Sequence, residues 1–83
     1  MQIITGVQTQ DYRLASGKRL PTIEELQALY TSGQIPAATG EIPDMYWSST
    51  PADQAGWFMT IDSEGLVQAD SEESLIKIIV INN

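Results

Sequence analysis

Residues 17–33 read Gly-Lys-Arg-Leu-Pro-Thr-Ile-Glu-Glu-Leu-Gln-Ala-Leu-Tyr-Thr-Ser-Gly, and they bound one short helix at both ends. Thr22 is an N-cap type, and Glu25 stands three positions on, completing a T-x-x-E capping box. Glu24 and Glu25 place negative charge at the positive end of the helix dipole. Ile23, Leu26, Leu29 and Tyr30 recur at helical spacing, which predicts that this face is buried. Gly33 suits the left-handed position that ends a helix. A helix of about ten residues does not hold itself together in water. The chain must therefore supply a sheet for this helix to pack on.

The rest of the sequence offers that sheet. Gln2–Gln8 is rich in β-branched residues and predicts a first strand. Residues 11–18 read as loop. Residues 34–46 hold Pro36, Gly40 and Pro43 and fit no regular element. Trp47–Thr50 predicts a short strand closed by Pro51, and 52–56 a connection. Trp57–Asp62 predicts a strand, Ser63-Glu64-Gly65 a hairpin turn, and Leu66–Ala69 the returning strand. Asp70–Ser74 reads as an acidic loop. Leu75–Asn82, Leu-Ile-Lys-Ile-Ile-Val-Ile-Asn, is apolar enough to be central or covered on both faces. This order of elements is an α+β domain.

The chain has 83 residues, which makes one domain spanning 1–83. It has no Cys and no His, so Ser–His and Cys–His nucleophilic catalysis is excluded, as is a zinc site built on those residues. The glycines spell no phosphate-binding loop. Net charge is −7, with four Lys/Arg against eleven Asp/Glu. So few cations cannot line a phosphate-tracking groove, which argues against nucleic acid, and they argue equally against anionic lipid. No basic-then-apolar leader opens the chain, and no stretch is long and apolar enough to span a membrane. The absence of Cys favours a reducing compartment or a core that needs no staple. A role outside the cell then implies that the chain is a module or fragment of a larger one, while the cytoplasm stays open.

Three stretches taken together resemble a known family. Arg19-Leu20-Pro21-Thr22 leads into the Glu24–Tyr30 helix. Tyr46-Trp47-Ser48-Ser49-Thr50-Pro51 follows, and then Gly56-Trp57-Phe58 and the apolar last strand. Their order and spacing over residues 17–82 resemble compact bacterial C-type lectin-like domains. These include the tips of intimin/invasin-type adhesins and lipoprotein domains carrying an RLPT…YWSST pattern. The resemblance implies one main helix on a small twisted antiparallel sheet, with the N- and C-terminal strands paired. It implies that the two motifs are scaffold and that loops 34–46 and 52–56 carry recognition.

What that family does is carried over only where residues match. Calcium-dependent sugar binding uses E-P-N or Q-P-D and W-N-D signatures. Glu41-Ile42-Pro43-Asp44 and Trp47-Ser48 match neither, so no calcium, other metal or cofactor is expected. Asp62-Ser63-Glu64-Gly65 is a fragment of a calcium loop and no more. Formylglycine-generating enzymes share an Arg-Leu-Pro-Thr element, but their chemistry uses cysteines, so a non-catalytic role is expected here. Trp47 and Trp57 are expected in the core rather than stacking on sugars. Tyr46 is expected at the surface. The expected ligand contacts are Glu41, Asp44, Tyr46, Asp53 and Gln54. The expected function is recognition of a host or cell-surface protein or glycan by a bacterial or phage surface protein. The alternative is a structural or assembly module of a secreted or phage-associated protein, with no ligand of its own.

Overall fold

The capping box at Thr22 forms as its spelling predicts. The Thr22 hydroxyl accepts from the Glu25 N–H at 3.2 Å, and the Glu25 carboxylate accepts from the Thr22 N–H at 2.9 Å. Helix α1 runs Ile23–Thr31 and stops where Gly33 takes a φ of +76°. The computed structural model describes residues 2–10, 14, 16–38, 40 and 44–82, with residues 2–6 described as backbone. The strands are β1 Gln2–Gln8, β2 Lys18–Arg19, β3 Met45–Pro51, β4 Trp57–Asp62, β5 Val67–Ser71 and β6 Ile76–Asn82.

The main path of the sheet is β1-β6-β3-β4-β5, with the two-residue β2 pairing the far end of β6. The predicted pairing of first and last strands is present, with Gln2 opposite Val80 and Gln8 opposite Ile76. The sheet is mixed rather than purely antiparallel. β3 and β6 run in the same direction and meet at Tyr46 and Lys77. The chain reverses from β3 to β4 and again to β5, so β5 already points the way β6 must run.

Both faces of the sheet are covered, as the apolar run in β6 requires. Ile23 and Leu26 of the helix pack with Tyr46, Ile61 and Ile79 on one face. Trp47, Ile76, Ile78 and Val80 pack with Leu20 on the other, joined by Leu14, Met45 and Phe58. Alternate residues of β3 and β6 thus serve opposite layers, which is the period-2 geometry of a strand. Trp47 is fully buried, and its indole N–H donates to the Gln8 carbonyl at 2.8 Å.

Sequence expectations for several individual residues also change. Tyr30 is 42% exposed rather than buried; its ring lies over Gly65, where a Cβ would stand 2.6 Å from the ring. The last turn of the helix reaches past the sheet, onto the β4–β5 turn. Trp57 is only half-buried, at the entry of β4. Lys18 and Arg19 are strand, because β6 extends far enough to offer them partners. Asp70 lies in β5, where its carboxylate accepts from the Thr60 hydroxyl at 2.8 Å.

The helix start is anchored twice, since the Ile23 N–H also donates to the Thr50 hydroxyl at 2.9 Å. Thr22→Ala removes only the first anchor and should cost about 1 kcal/mol. That corresponds to a loss of roughly 4–8 °C in melting temperature for a domain of this size. A thermal melt unchanged within error would show that the hydroxyl does not stabilise the helix.

Candidate functional site

The two motifs meet in space and use up their own polar groups. The Ser49 N–H donates to the Pro21 carbonyl at 2.8 Å, one residue before the cap. Between Trp47, opposite Thr60, and Pro51, opposite Phe58, β3 carries a bulge. Such a bulge interrupts the ladder and leaves backbone groups to be paired by other means. Ser48 fills this gap. Its buried hydroxyl donates to the Met59 carbonyl at 2.6 Å and accepts from the Thr50 N–H at 3.1 Å. Gln10 crosses from the N-terminal segment, and its amide donates to the Ser48 carbonyl. Arg19 forks onto Glu25 with bonds of 2.7 and 2.9 Å. Among the described residues no buried side-chain nitrogen or oxygen lacks a partner. The motif residues therefore build the frame, and the surface available for recognition lies in the connections.

Those connections do not lie side by side. β3 separates loop 34–44 at its start from loop 52–56 at its end, roughly 20 Å apart along the strand. The expected joint surface is thus two surfaces, one at each end of the sheet. The difference arises because β3 spans Met45–Pro51, longer than the Trp47–Thr50 expected from sequence.

At the first end, the candidates fall into distinct roles. Glu41 lies outside the described residues. Asp44 organises the loop. One carboxylate oxygen accepts from the Lys77 ammonium at 2.9 Å, the other accepts from the Gly40 N–H at 3.2 Å, and its carbonyl accepts from the Ser63 N–H at 3.2 Å. Tyr46 is buried at 4% exposure, not displayed as expected. Its parity in β3 points it into the helix-side layer with Leu26 and Ile61. Burial pushes its hydroxyl above the ordinary range; Lys77 opposes that shift and Asp44 adds to it. Gln34, Ala37, Ala38 and Gly40 are exposed on this loop, which is anchored by half-buried Ile35 against the helix-side core and by the Gln34 N–H on the Leu29 carbonyl. Sequence reading missed Lys77 as a partner of this loop, because the pair is set by the β3–β6 contact and not by local spacing.

At the second end, Asp53 and Gln54 are exposed on a tight connection. The Ala52 N–H donates to the Trp57 carbonyl at 2.8 Å and the Trp57 N–H to the Gln54 carbonyl at 3.1 Å. Glu72 lies beside it, its N–H on the Gly56 carbonyl at 2.8 Å. Asp62 faces neither loop as a ligand-type carboxylate, since one of its oxygens accepts from both the Glu64 and the Leu66 N–H groups at 2.8 Å. Among the described residues no three acidic side chains gather in a metal-binding cluster. No helix there is long and apolar enough to cross a membrane.

Comparison of the chain with protein-family models, with curated proteins and with solved structures finds no match. The roles assigned here rest on the geometry alone.

The fork at Glu25 makes acid stability testable. The Arg19 guanidinium first, and then the Thr22 N–H, hold the Glu25 carboxyl down to about 2 from an ordinary 4.5. The unfolded chain therefore takes up that proton at higher pH than the folded one does. The stabilisation is complete above pH 4.5 and is lost as pH falls toward about 2. Both side chains are 40% exposed, so solvent screening keeps the effect small. Urea midpoints measured across that pH window should fall less steeply in Glu25→Gln than in the wild type. Parallel slopes would assign the acid sensitivity to other carboxylates.

Proposed function

We propose that this chain is a C-type lectin-like recognition module of a bacterial or phage surface protein, acting at the cell surface or outside the cell as part of a larger chain. Its ligand is a protein or glycan, bound without calcium or catalysis. The observation that carries this reading is the use of the motif side chains. Arg19, Thr22, Trp47, Ser48 and Thr50 all bond within the frame. The pattern on which the family resemblance rests is thus a pattern for building a scaffold, and such scaffolds leave recognition to loops. The paired terminal strands and the single helix on one sheet face agree with that family's architecture.

Of the two ends, we assign recognition to loop 34–44. Residues 32–44 form the longest connection between the described elements, and functional loops are common among such long connections. Asp44 and Lys77 hold its exit, with side chains 22% and 16% exposed, so it is presented on a fixed base.

The test uses the isolated chain on a glycan array and on bacterial and host cells. Ala38→Arg places bulk and charge on the exposed part of loop 34–44. The double variant Asp53→Ala/Gln54→Ala alters the opposite end. Binding should be lost in the first and kept in the second. A folded wild-type chain that binds nothing in either format would overturn the reading. Loss confined to the double variant would move the ligand surface to the other end of the sheet.

A further inference from the structure

Among the described residues, the sheet has an open edge whose surroundings carry charge of a single sign. Among those residues, β5 comes last in the strand order and pairs only with β4. Two bonds fix which of its groups face outward. The Asp62 N–H donates to the Leu66 carbonyl, and the Glu72 N–H donates to the Gly56 carbonyl. Between these two pairs, antiparallel register alternates bonded and non-bonded positions. Gln68 and Asp70 therefore direct their backbone groups at β4, while Val67, Ala69 and Ser71 direct theirs away from the sheet. The Ser71 carbonyl accepts from the Ser74 N–H at 2.9 Å, and just past the strand the Glu72 carbonyl accepts from the Gln10 N–H at 3.0 Å. Among the described residues, the outward groups left along the edge are those of Val67 and Ala69 and the N–H of Ser71, and such a row is a template for another strand.

Charge selects the strand that fits. From Leu20 to Ile76 the sequence contains no Lys or Arg. Exposed Glu64 stands before β5, Asp70 lies within it, and exposed Glu72 and Glu73 follow it. Asp70 gives one oxygen to Thr60. Of the four cations, Arg13 lies outside the described residues; Lys18, Arg19 and Lys77 lie on β2 and β6 and are engaged by Asn82, Glu25 and Asp44. A second copy of this chain is a poor occupant, because edge-to-edge pairing would bring two acidic β5 segments together. A like-charged strand is repelled for the same reason.

We propose that the outer edge of β5 is a docking strand for an extended, Lys/Arg-bearing polypeptide segment, which adds to the sheet beside Val67–Ser71. The partner's backbone bonds with both groups of Val67 and Ala69 and with the N–H of Ser71. Its basic side chains lie against Asp70 and the flanking Glu64, Glu72 and Glu73. Backbone pairing supplies the register, and charge supplies the choice of partner. The edge meets the base of loop 34–44 at the β4–β5 turn, where the Ser63 N–H donates to the Asp44 carbonyl, and the amides of Ala69 and Ser71, farther along β5, report on the edge alone.

The test is an amide NMR titration of the whole chain with three short peptides. One alternates Lys and Val, one alternates Glu and Val, and the third is the Lys–Val peptide with methylated backbone nitrogens. The Lys–Val peptide should shift and protect the amides of Val67, Ala69 and Ser71, and high salt should weaken it. The Glu–Val and methylated peptides should each bind at least about tenfold more weakly, a difference of roughly 1.4 kcal/mol. Ala69→Pro, which removes an outward N–H and leaves the β4 ladder intact, should abolish the protection. Equal binding of the methylated peptide would reduce the effect to simple charge attraction and overturn the proposal. No binding by the Lys–Val peptide would also overturn it. So would concentration-dependent self-association through the β5 amides, which would make a second copy the occupant.

Discussion

The structure depends on the join between the start of α1 and the bulge in β3. A nine-residue helix cannot hold its own first turn, and here that turn is built from three directions. Thr22 caps from within the chain, Thr50 accepts from Ile23 across the join, and Ser49 bonds to the carbonyl of Pro21. The last two come from residues inside the bulge, between Trp47 and Pro51, where β3 leaves regular register with β4. Ser48 makes the bulge tolerable by bonding to the groups that it strands. One short polar sequence thus bends the strand and fixes the helix.

The layers follow from that join. With the helix set on one face of β3, Tyr46 turns into the helix-side layer, and Trp47 turns into the layer beneath. β6 then lies beside β3 with Ile76, Ile78, Ile79 and Val80 all buried, so that it serves both layers at once. The loops receive their positions last. Loop 34–44 leaves from the helix end and is tied to β6 through Asp44 and Lys77. Loop 52–56 closes at the far end of β3. The charge distribution of the described residues follows the same division, with the cations on β2 and β6 and the acidic residues concentrated around β4 and β5.

The parts legible in the sequence were those decided by neighbours along the chain. The capping box spans three residues, and the glycines at 33 and 65 mark positive φ at the points where the chain must turn. The α+β class and the pairing of β1 with β6 were also readable, the second through a family resemblance. What was not legible depended on long-range geometry. The burial of Tyr46 follows from strand parity, which cannot be assigned until the covered faces are known. Tyr30 fits the helical stripe, but its turn of the helix extends beyond the sheet. The pairing of Lys77 with Asp44 spans more than thirty positions. Asp53 and Gln54 were correctly placed on an exposed connection, yet their distance from loop 34–44 needed the true length of β3.

The central claim is that the Ser48 hydroxyl sustains the bulge on which the helix rests. Ser48→Ala deletes one oxygen from a fully buried position and leaves the apolar packing in place. It strands the Met59 carbonyl and the Thr50 N–H, which should cost about 1–3 kcal/mol. Urea denaturation of the two proteins, with equal slopes, measures that difference directly. A lower midpoint of the matching size is the result this account predicts. A change within about 0.5 kcal/mol, the range of an ordinary surface substitution, would contradict it.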